Sequence, residues 1–228
     1  MIDVLLANLP YLLVGAFPNG PLGGVALTVA LAAASALLSA LLGLAGGIAL
    51  AMSGPLLRTM LVAGIGFFRA IPVLMLIFWT FFLLPIVFHM DVPALGTVLV
   101  SLGLVGGAYL AHAVDGGIAA VGKGQWQAGL ALGLTRWQTL RAIVLPQATR
   151  IMMPSFVNQW VSLIKDTSLA YIVGVPELSF LANQVNSRLM VYPAQIFLFV
   201  ALVYVVLCTA VDALATRAIR SGGLLSLR

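Results

Sequence analysis

The chain has 228 residues, of which 62% are hydrophobic and 7% charged, with a formal net charge of +5. A soluble domain carries about a quarter charged residues, so a water-soluble fold is excluded. The 11 Lys and Arg are dispersed and form no basic run; this argues against a nucleic-acid partner and leaves the cations as signals of membrane topology.

With so few charges, the backbone must satisfy its own hydrogen bonds in lipid, which leaves helices or a closed barrel. The apolar runs are far longer than the roughly 10 residues of a barrel strand. The expected fold is therefore all-α: a polytopic membrane protein of about five transmembrane helices, forming a single transmembrane domain over residues 1–228. The N-terminal MIDVLLANLPYLLVGAFPNG has no basic n-region and contains Asp3, Pro10 and Pro18, unlike a cleavable signal peptide.

The first span is expected from about Leu22 to Met52, closed by Ser53-Gly54-Pro55 and Arg58. Residues 56 to 88 are too long for one straight span, and Pro72 falls inside them just after Arg69. An interfacial lead-in to about Ala70 followed by a span to Phe88 accounts for both features. The third span, about Leu95 to Val121, carries Gly103, Gly106, Gly107, Gly116 and Gly117, which permit close helix packing. Residues 122 to 146, GKGQWQAGLALGLTRWQTLRAIVLP, are too polar to span and form a loop with short amphipathic helices. A fourth span runs from about Gln147 to Ile164, then a polar stretch, then a final span from about Pro193 to Thr216. Cys208 stands alone in an apolar segment and can build neither a disulfide framework nor a thiolate metal site.

Lys and Arg favour cytoplasmic loops. With the N-terminus outside and the C-terminus in the cytoplasm, Arg58, Lys123, Arg136, Arg141, Arg150, Arg217, Arg220 and Arg228 all fall in or near the cytoplasm, and Arg188 is external. The 122 to 146 loop is then cytoplasmic. Its Ala128, Gly129, Ala131 and Gly133 permit close helix approach, and Leu130, Leu132 and Leu134 supply apolar contact. Thr135 suits the N-cap of a second helix whose Trp137 and Leu140 face the membrane boundary. Pro146 opens the next span. Such a loop packs against a soluble partner or lies at the interface as a partnerless hairpin.

The spacing in this loop resembles the coupling motif of permease subunits of binding-protein-dependent ABC importers: E-A-A, three residues, G, nine residues, I-x-L-P. The aligned positions are Gln127-Ala128-Gly129, Gly133 and Ile143-Val144-Leu145-Pro146. Gln127 departs from Glu and Gly129 from Ala. Three further segments are similar to the polar amino-acid branch: FRAIPVLMLIFWTFFLLP (68 to 85), AYLAHAVDGGIAAVGKGQW (108 to 126) and LIKDTSLAYIVGVPEL (163 to 178). The second is similar to the acidic amino-acid permeases, which points to glutamate or aspartate, with glutamine or a basic amino acid as alternatives.

The resemblance implies a type I ABC importer permease in a bacterial inner membrane. A second permease, identical or related, would complete the pathway. Two cytoplasmic ATPase subunits would bind the coupling loops, and a periplasmic amino-acid-binding protein would deliver cargo. No cofactor is expected on this chain; ATP and Mg would belong to the partners, since the chain lacks a G-x-x-x-x-G-K-[ST] loop. It is not expected to be an enzyme.

Ionisable groups at membrane depth are costly and become functional candidates by default. Lys165-Asp166-Thr167-Ser168 offers a cation, an anion and hydroxyls at the end of the fourth span, matching the ammonium and carboxylate of an amino acid. The resemblance places this segment in the substrate cavity, with Asp166 on the ammonium. The alternative is that Lys165 and Asp166 satisfy each other or helix ends, although adjacent side chains point apart. Asn158 lies seven and eight residues earlier on roughly the same face. His112 and Asp115 are neighbours at i, i+3 and reverse the polarity of the A-Y-x-x-E-x-x-R-G-G pattern of relatives, as a structural contact or a change in substrate preference. Arg69 neutralises a substrate carboxylate or anchors the interface. Glu177 and Arg188 are expected as solvated charges of the external stretch, or as docking points. A proton-coupled secondary transporter using His112, Asp115 and Asp166 is the competing function.

Overall fold

The computed structural model describes residues 2–89, 91–190 and 193–221, without the side chains of 2–6 and 220–221. Arg220 and Arg228, used above as topology markers, and Asp3 of the N-terminal segment therefore lie wholly or by their side chains outside the described residues.

The described residues form helices joined by short turns. They are α1 (Ile2–Val14), α2 (Gly24–Met52), α3 (Pro55–Ala70), α4 (Val73–Phe78), α5 (Leu84–Phe88), α6 (Ala94–Ala120), α7 (Lys123–Ala131), α8 (Arg136–Thr139), α9 (Leu145–Asp166), α10 (Leu178–Leu189) and α11 (Pro193–Ser221). Three of them, α2, α6 and α11, are long and apolar enough to cross a membrane. A fourth crossing is broken: α3 and the run Val73–Phe88 meet at 95°. The bend falls where Pro72 disfavours an α conformation for the preceding residue, matching the expected lead-in to about Ala70. α9, 22 residues long, reaches about 33 Å at 1.5 Å per residue, enough to cross the hydrocarbon core. It is less apolar than the others because it carries Arg150, Asn158, Lys165 and Asp166.

Two stretches of π-helix interrupt this pattern, Trp79–Leu83 and Leu140–Val144. Each is followed at once by Leu-Pro: Leu84-Pro85 and Leu145-Pro146. In each, the leucine N–H donates five residues back, Leu84 to the Trp79 carbonyl and Leu145 to the Leu140 carbonyl. A proline inside an α-helix has no N–H to give and its ring collides with the carbonyl four residues before it; widening the preceding turn relieves that collision. Pro146 therefore stands in the first turn of α9, where the next span was expected to open, but no break precedes it. It sits inside a helical run from Arg136 to Asp166, so the loop's second half is continuous with α9.

The chain divides into two compact units. The first comprises residues up to Leu37, Ile71–Gly103 and Trp160–Val211. Its core joins Leu27, Leu31, Ile77, Val98, Leu102 and Leu163, and a second cluster packs Leu12 of α1 on Leu178, Leu181 and Val185 of α10 and Ile196 of α11. The second unit comprises Leu38–Ala70, Leu104–Gln159 and residues from Asp212 onward. Here α2 and α6 approach so closely that a Cβ on Gly43 would lie 2.4 Å from the Leu110 Cβ, and one on Gly47 2.4 Å from the Val114 Cβ. Small residues four apart let helices meet at backbone distance in lipid. The glycines singled out on α6 contribute less evenly: Gly107 abuts Leu42 and Gly117 abuts Met152, but Gly116 faces open space.

Candidate functional site

All seven coupling-loop residues lie in the second unit. α7 starts after Gly122 and ends at Gly133, whose φ of +80° turns the chain out of the helix. The Gly133 N–H donates to the Leu130 carbonyl at 3.0 Å, and the Leu134 N–H donates to the Gly129 carbonyl at 3.1 Å. These two bonds form a Schellman motif, in which a left-handed glycine terminates the helix. A Cβ at Gly133 would meet nothing within 4 Å. Its place in the motif reflects backbone conformation, not the close packing expected from its size.

Gly129 is the residue that does permit close approach. A Cβ there would lie 2.5 Å from Cγ2 and 2.7 Å from Oγ1 of Thr139, which is fully buried. The departure of this position from alanine thus has a local cause: Thr139 occupies the volume that a methyl group would need. Thr135 caps α8 as expected. Its hydroxyl accepts from the Gln138 N–H at 3.2 Å, and the Gln138 side chain accepts from the Thr135 N–H at 2.8 Å, closing a capping box. Trp137 is exposed, but Leu140 is buried and does not face a boundary. Gln127 and Ala128 are exposed on α7, and Leu132 at the turn is 78% exposed. Ile143 and Leu145 are half-buried, and Pro146 is exposed.

His112 and Asp115 share a face of α6 but do not form the expected pair. Asp115 instead holds Arg58 of α3, whose Nη1 and Nη2 donate at 3.1 and 2.8 Å. Arg58 Nη1 also donates to the Leu50 carbonyl at 2.7 Å, in the last turn of α2. Arg69, exposed at the end of α3, lies over the Tyr109 ring at 5.1 Å. Asn158 is exposed on α9.

In the first unit, Lys165 is exposed and Asp166 half-buried at the end of α9. Thr167 and Ser168 do not offer free hydroxyls. The Thr167 hydroxyl donates to the Ile164 carbonyl and that of Ser168 to the Lys165 carbonyl, both at 2.7 Å, and Thr167 is completely buried. They bond back to carbonyls where α9 tightens into a 3-10 helix, Thr167–Val173.

Glu177 overturns its expectation as a solvated charge, since it is 0% exposed. It is the N-cap of α10, accepting from the N–H groups of Ser179 and Phe180 at 2.9 Å each, and the Tyr204 hydroxyl donates to it at 3.0 Å. Burial outweighs these hydrogen bonds and pushes its carboxyl up to about 7. An acid directly before the apolar Leu178 is a helix-start signal that could have revealed this role. Arg188 is exposed, over the Tyr11 ring at 5.7 Å.

The family described as "Binding-protein-dependent transport system inner membrane component" matches residues 43–221. The chain belongs to that family. The permease is 36% identical over 147 residues to the glutamine transport system permease protein GlnP of Escherichia coli (strain K12), covering 60% of this chain and 67% of that one. It is 36% identical over 184 residues to the probable glutamine ABC transporter permease protein GlnP of Bacillus subtilis (strain 168), covering 79% and 84%. The L-cystine transport system permease protein TcyB of the same organism is 32% identical over 186 residues, covering 82% and 79%. Among solved structures, an amino acid ABC transporter with histidines superposes with a TM-score of 0.77 at 23% identity, covering 86% of the permease and 90% of that chain. An inward-facing form of the MetNI methionine ABC transporter gives 0.74 at 21%, covering 85% and 92%. These likenesses establish the type I importer permease fold. The permease is a non-catalytic membrane subunit; ATP hydrolysis in such systems belongs to separate ATPase subunits.

Proposed function

We propose that the permease is the transmembrane subunit of an ATP-driven importer of a polar amino acid, handed to it by a periplasmic binding protein. The observation that carries this reading is the coupling loop. Its exposed Gln127 and Ala128 are presented by α7 and Leu132 by the turn that follows, Gly129 packs on Thr139, and the loop's second half runs into the start of α9 without a break in helical backbone. A displacement of such a loop is passed on to the first turns of α9 through continuous helical backbone. Two cytoplasmic ATPase subunits, which would carry the ATP and Mg, dock on this loop of about residues 122–146 and its counterpart in a second permease, identical or related. The N-terminus is outside and the C-terminus cytoplasmic, and residues 1–228 act as one transmembrane domain.

Lys165, Asp166, Asn158, His112 and Arg69 are the polar groups we assign to the pathway, with Asp166 on the cargo ammonium. Thr167, Ser168 and Asp115 shape it indirectly, because their polar groups are engaged within the chain. For the cargo, glutamine is favoured by the names of relatives that are 36% identical. Glutamate or aspartate is the second reading, carried by the likeness of residues 108–126 to acidic amino-acid permeases. That reading is weakened because Asp115, one of the departures in this segment, is committed to Arg58.

The test is ATP hydrolysis by the purified assembly in liposomes, with binding proteins loaded separately with glutamine, glutamate, aspartate and arginine. Stimulation by one loaded binding protein, strongest with glutamine, is expected. Uptake driven by a proton gradient without ATP would replace this reading with a secondary transporter.

A further inference from the structure

In the first unit, α10 does not stand clear of the membrane as an external loop would. Glu177, the residue before its first turn, takes a hydrogen bond from the Tyr204 hydroxyl, and Leu181 and Val185 share a cluster with Ile196 and Val200. These partners belong to α11, where Tyr204 lies about 17 Å from Pro193 at 1.5 Å per residue. That reaches well into a hydrocarbon core about 30 Å thick. On the orientation proposed above, α10 therefore folds back beside the outer half of a spanning helix.

The two faces of α10 differ. Leu178, Leu181, Ala182 and Val185, spaced i, i+3, i+4, i+7, are buried. Phe180, Asn183, Gln184, Ser187 and Arg188 keep the same helical spacing on another face, and together with Tyr171 of the 3-10 helix they line a cavity of about 400 Å³. Two amides, a hydroxyl and a guanidinium are costly against acyl chains, so this side of α10 faces away from lipid. The volume lies within the range of about 300–1,000 Å³ typical of small-molecule sites.

The polar groups of the cavity are ordered by their partners. The Tyr11 hydroxyl donates to Gln184 Oε1 at 2.6 Å, which turns the Gln184 amino group the other way. Asn183 Nδ2 donates to the Ser179 carbonyl at 3.1 Å, which leaves Oδ1 as an acceptor. Arg188 lies over the Tyr11 ring at 5.7 Å, and no acid is among the lining residues. A guanidinium beside an amide donor recognises a carboxylate, and an amide oxygen next to them accepts from an ammonium. Tyr171 and Phe180 add apolar surface for a short carbon chain. This set of groups suits a free amino acid.

Asp166 is not the other half of this site. Along the 3-10 helix, at 2.0 Å per residue, Tyr171 lies about 10 Å beyond Asp166, which is more than separates the ammonium and carboxylate of one amino acid. We infer that the cavity is a second, outer station for the cargo, where Arg188 and Gln184 hold the carboxylate and Asn183 the ammonium before the molecule passes to Asp166. This inference rests on the importer reading.

Saturation-transfer NMR on the purified permease with its ATPase subunits, without binding protein, tests it. The probes are glutamine, glutamate, aspartate and arginine, and the α-carboxamide of each, which lacks the carboxylate. In an Asp166→Asn background, one of the amino acids should still bind and its carboxamide should not. Affinity in that background should fall by about tenfold or more in Arg188→Gln and return in part in Arg188→Lys, which keeps the cation. Gln184→Leu, a second variant, should lose affinity in the same direction, and thermal melting shows which variants are folded. Binding confined to chains that retain Asp166, or binding of none of the probes, overturns the inference. So does equal binding of the carboxamide. Unchanged amino-acid affinity in Arg188→Gln, with more loaded binding protein needed for half-maximal ATP hydrolysis, also overturns it and gives this face to the binding protein. Failure of the importer reading shows separately, as uptake without ATP, and leaves these binding measurements intact.

Discussion

Asp115 of α6 grips Arg58 of α3 with both carboxylate oxygens, at 3.1 and 2.8 Å, while Arg58 also reaches the Leu50 carbonyl at 2.7 Å. One guanidinium thereby joins three helices. The fork geometry of arginine makes this possible, because five donors on a rigid plane can serve a carboxylate and a helix-end carbonyl together. Lysine at position 58 has a single ammonium and cannot reproduce the paired contact. Asp115→Asn and Arg58→Lys should each lower the melting temperature of the purified permease, and the exchange Arg58→Asp/Asp115→Arg should recover part of the loss from Asp115→Arg alone. Thermal melting in detergent checks this; identical melting of all variants would show that the contact does not contribute.

Gly129 and Thr139 exclude one another's growth. Gly129→Ala restores the residue common in the motif, yet here it should cost about 1–3 kcal/mol through overpacking and weaken association with the ATPase subunits. Thr139→Ala in the same chain removes the colliding atoms and should restore association. Co-purification of the four combinations measures this, and full association of Gly129→Ala alone would contradict it.

Pro146 keeps residues 140–144 in a widened turn. Pro146→Ala returns the missing N–H and lets that turn tighten to an α-helix. Gaining or losing one residue per turn rotates what precedes it by about 100° relative to α9. Distances between spin labels at Leu132 and Asn158, both exposed, should change in a Cys208→Ser background. Pro85→Ala, at the other Leu-Pro step, should leave that distance alone. An unchanged distance in Pro146→Ala would mean that the loop, not the proline, sets the turn.

Glu177 links stability to pH. Its carboxyl is raised from 4.5 to about 7 in the folded chain, so folding favours the protonated form. The associated stability is present in full below 4.5 and is lost as pH rises through about 7, a change on the order of 3 kcal/mol. Glu177→Gln keeps an oxygen to cap α10 but cannot ionise. Its melting temperature should vary less than that of the wild type between pH 5 and 8. Parallel pH profiles for the two would contradict the assignment.

The architecture was largely legible because it rests on long apolar runs and a few backbone rules. Pro72 marked the bend and Thr135 the start of the loop's second helix, while Gly133 stood out by its place in the motif. What the sequence could not supply was the partner of each polar side chain. His112 and Asp115 satisfy the i, i+3 rule, but a stronger contact from Arg58, 57 residues earlier, takes the carboxylate. Thr167 and Ser168 looked like cargo ligands because hydroxyls suit one, whereas the same hydroxyls also bond to the carbonyl three residues back in a helix. Glu177 looked solvated because acids usually are, and only the packing of α10 on α1 and α11 buries it.

On the function proposed above, this permease moves a polar amino acid inward at the expense of ATP hydrolysed by its partners. Its most direct test is uptake of labelled glutamine into liposomes that hold ATP and the full assembly, with loaded binding protein outside. Accumulation should require both ATP and the binding protein and be indifferent to a proton gradient. Accumulation without ATP, or none for any polar amino acid with all subunits present, would contradict it.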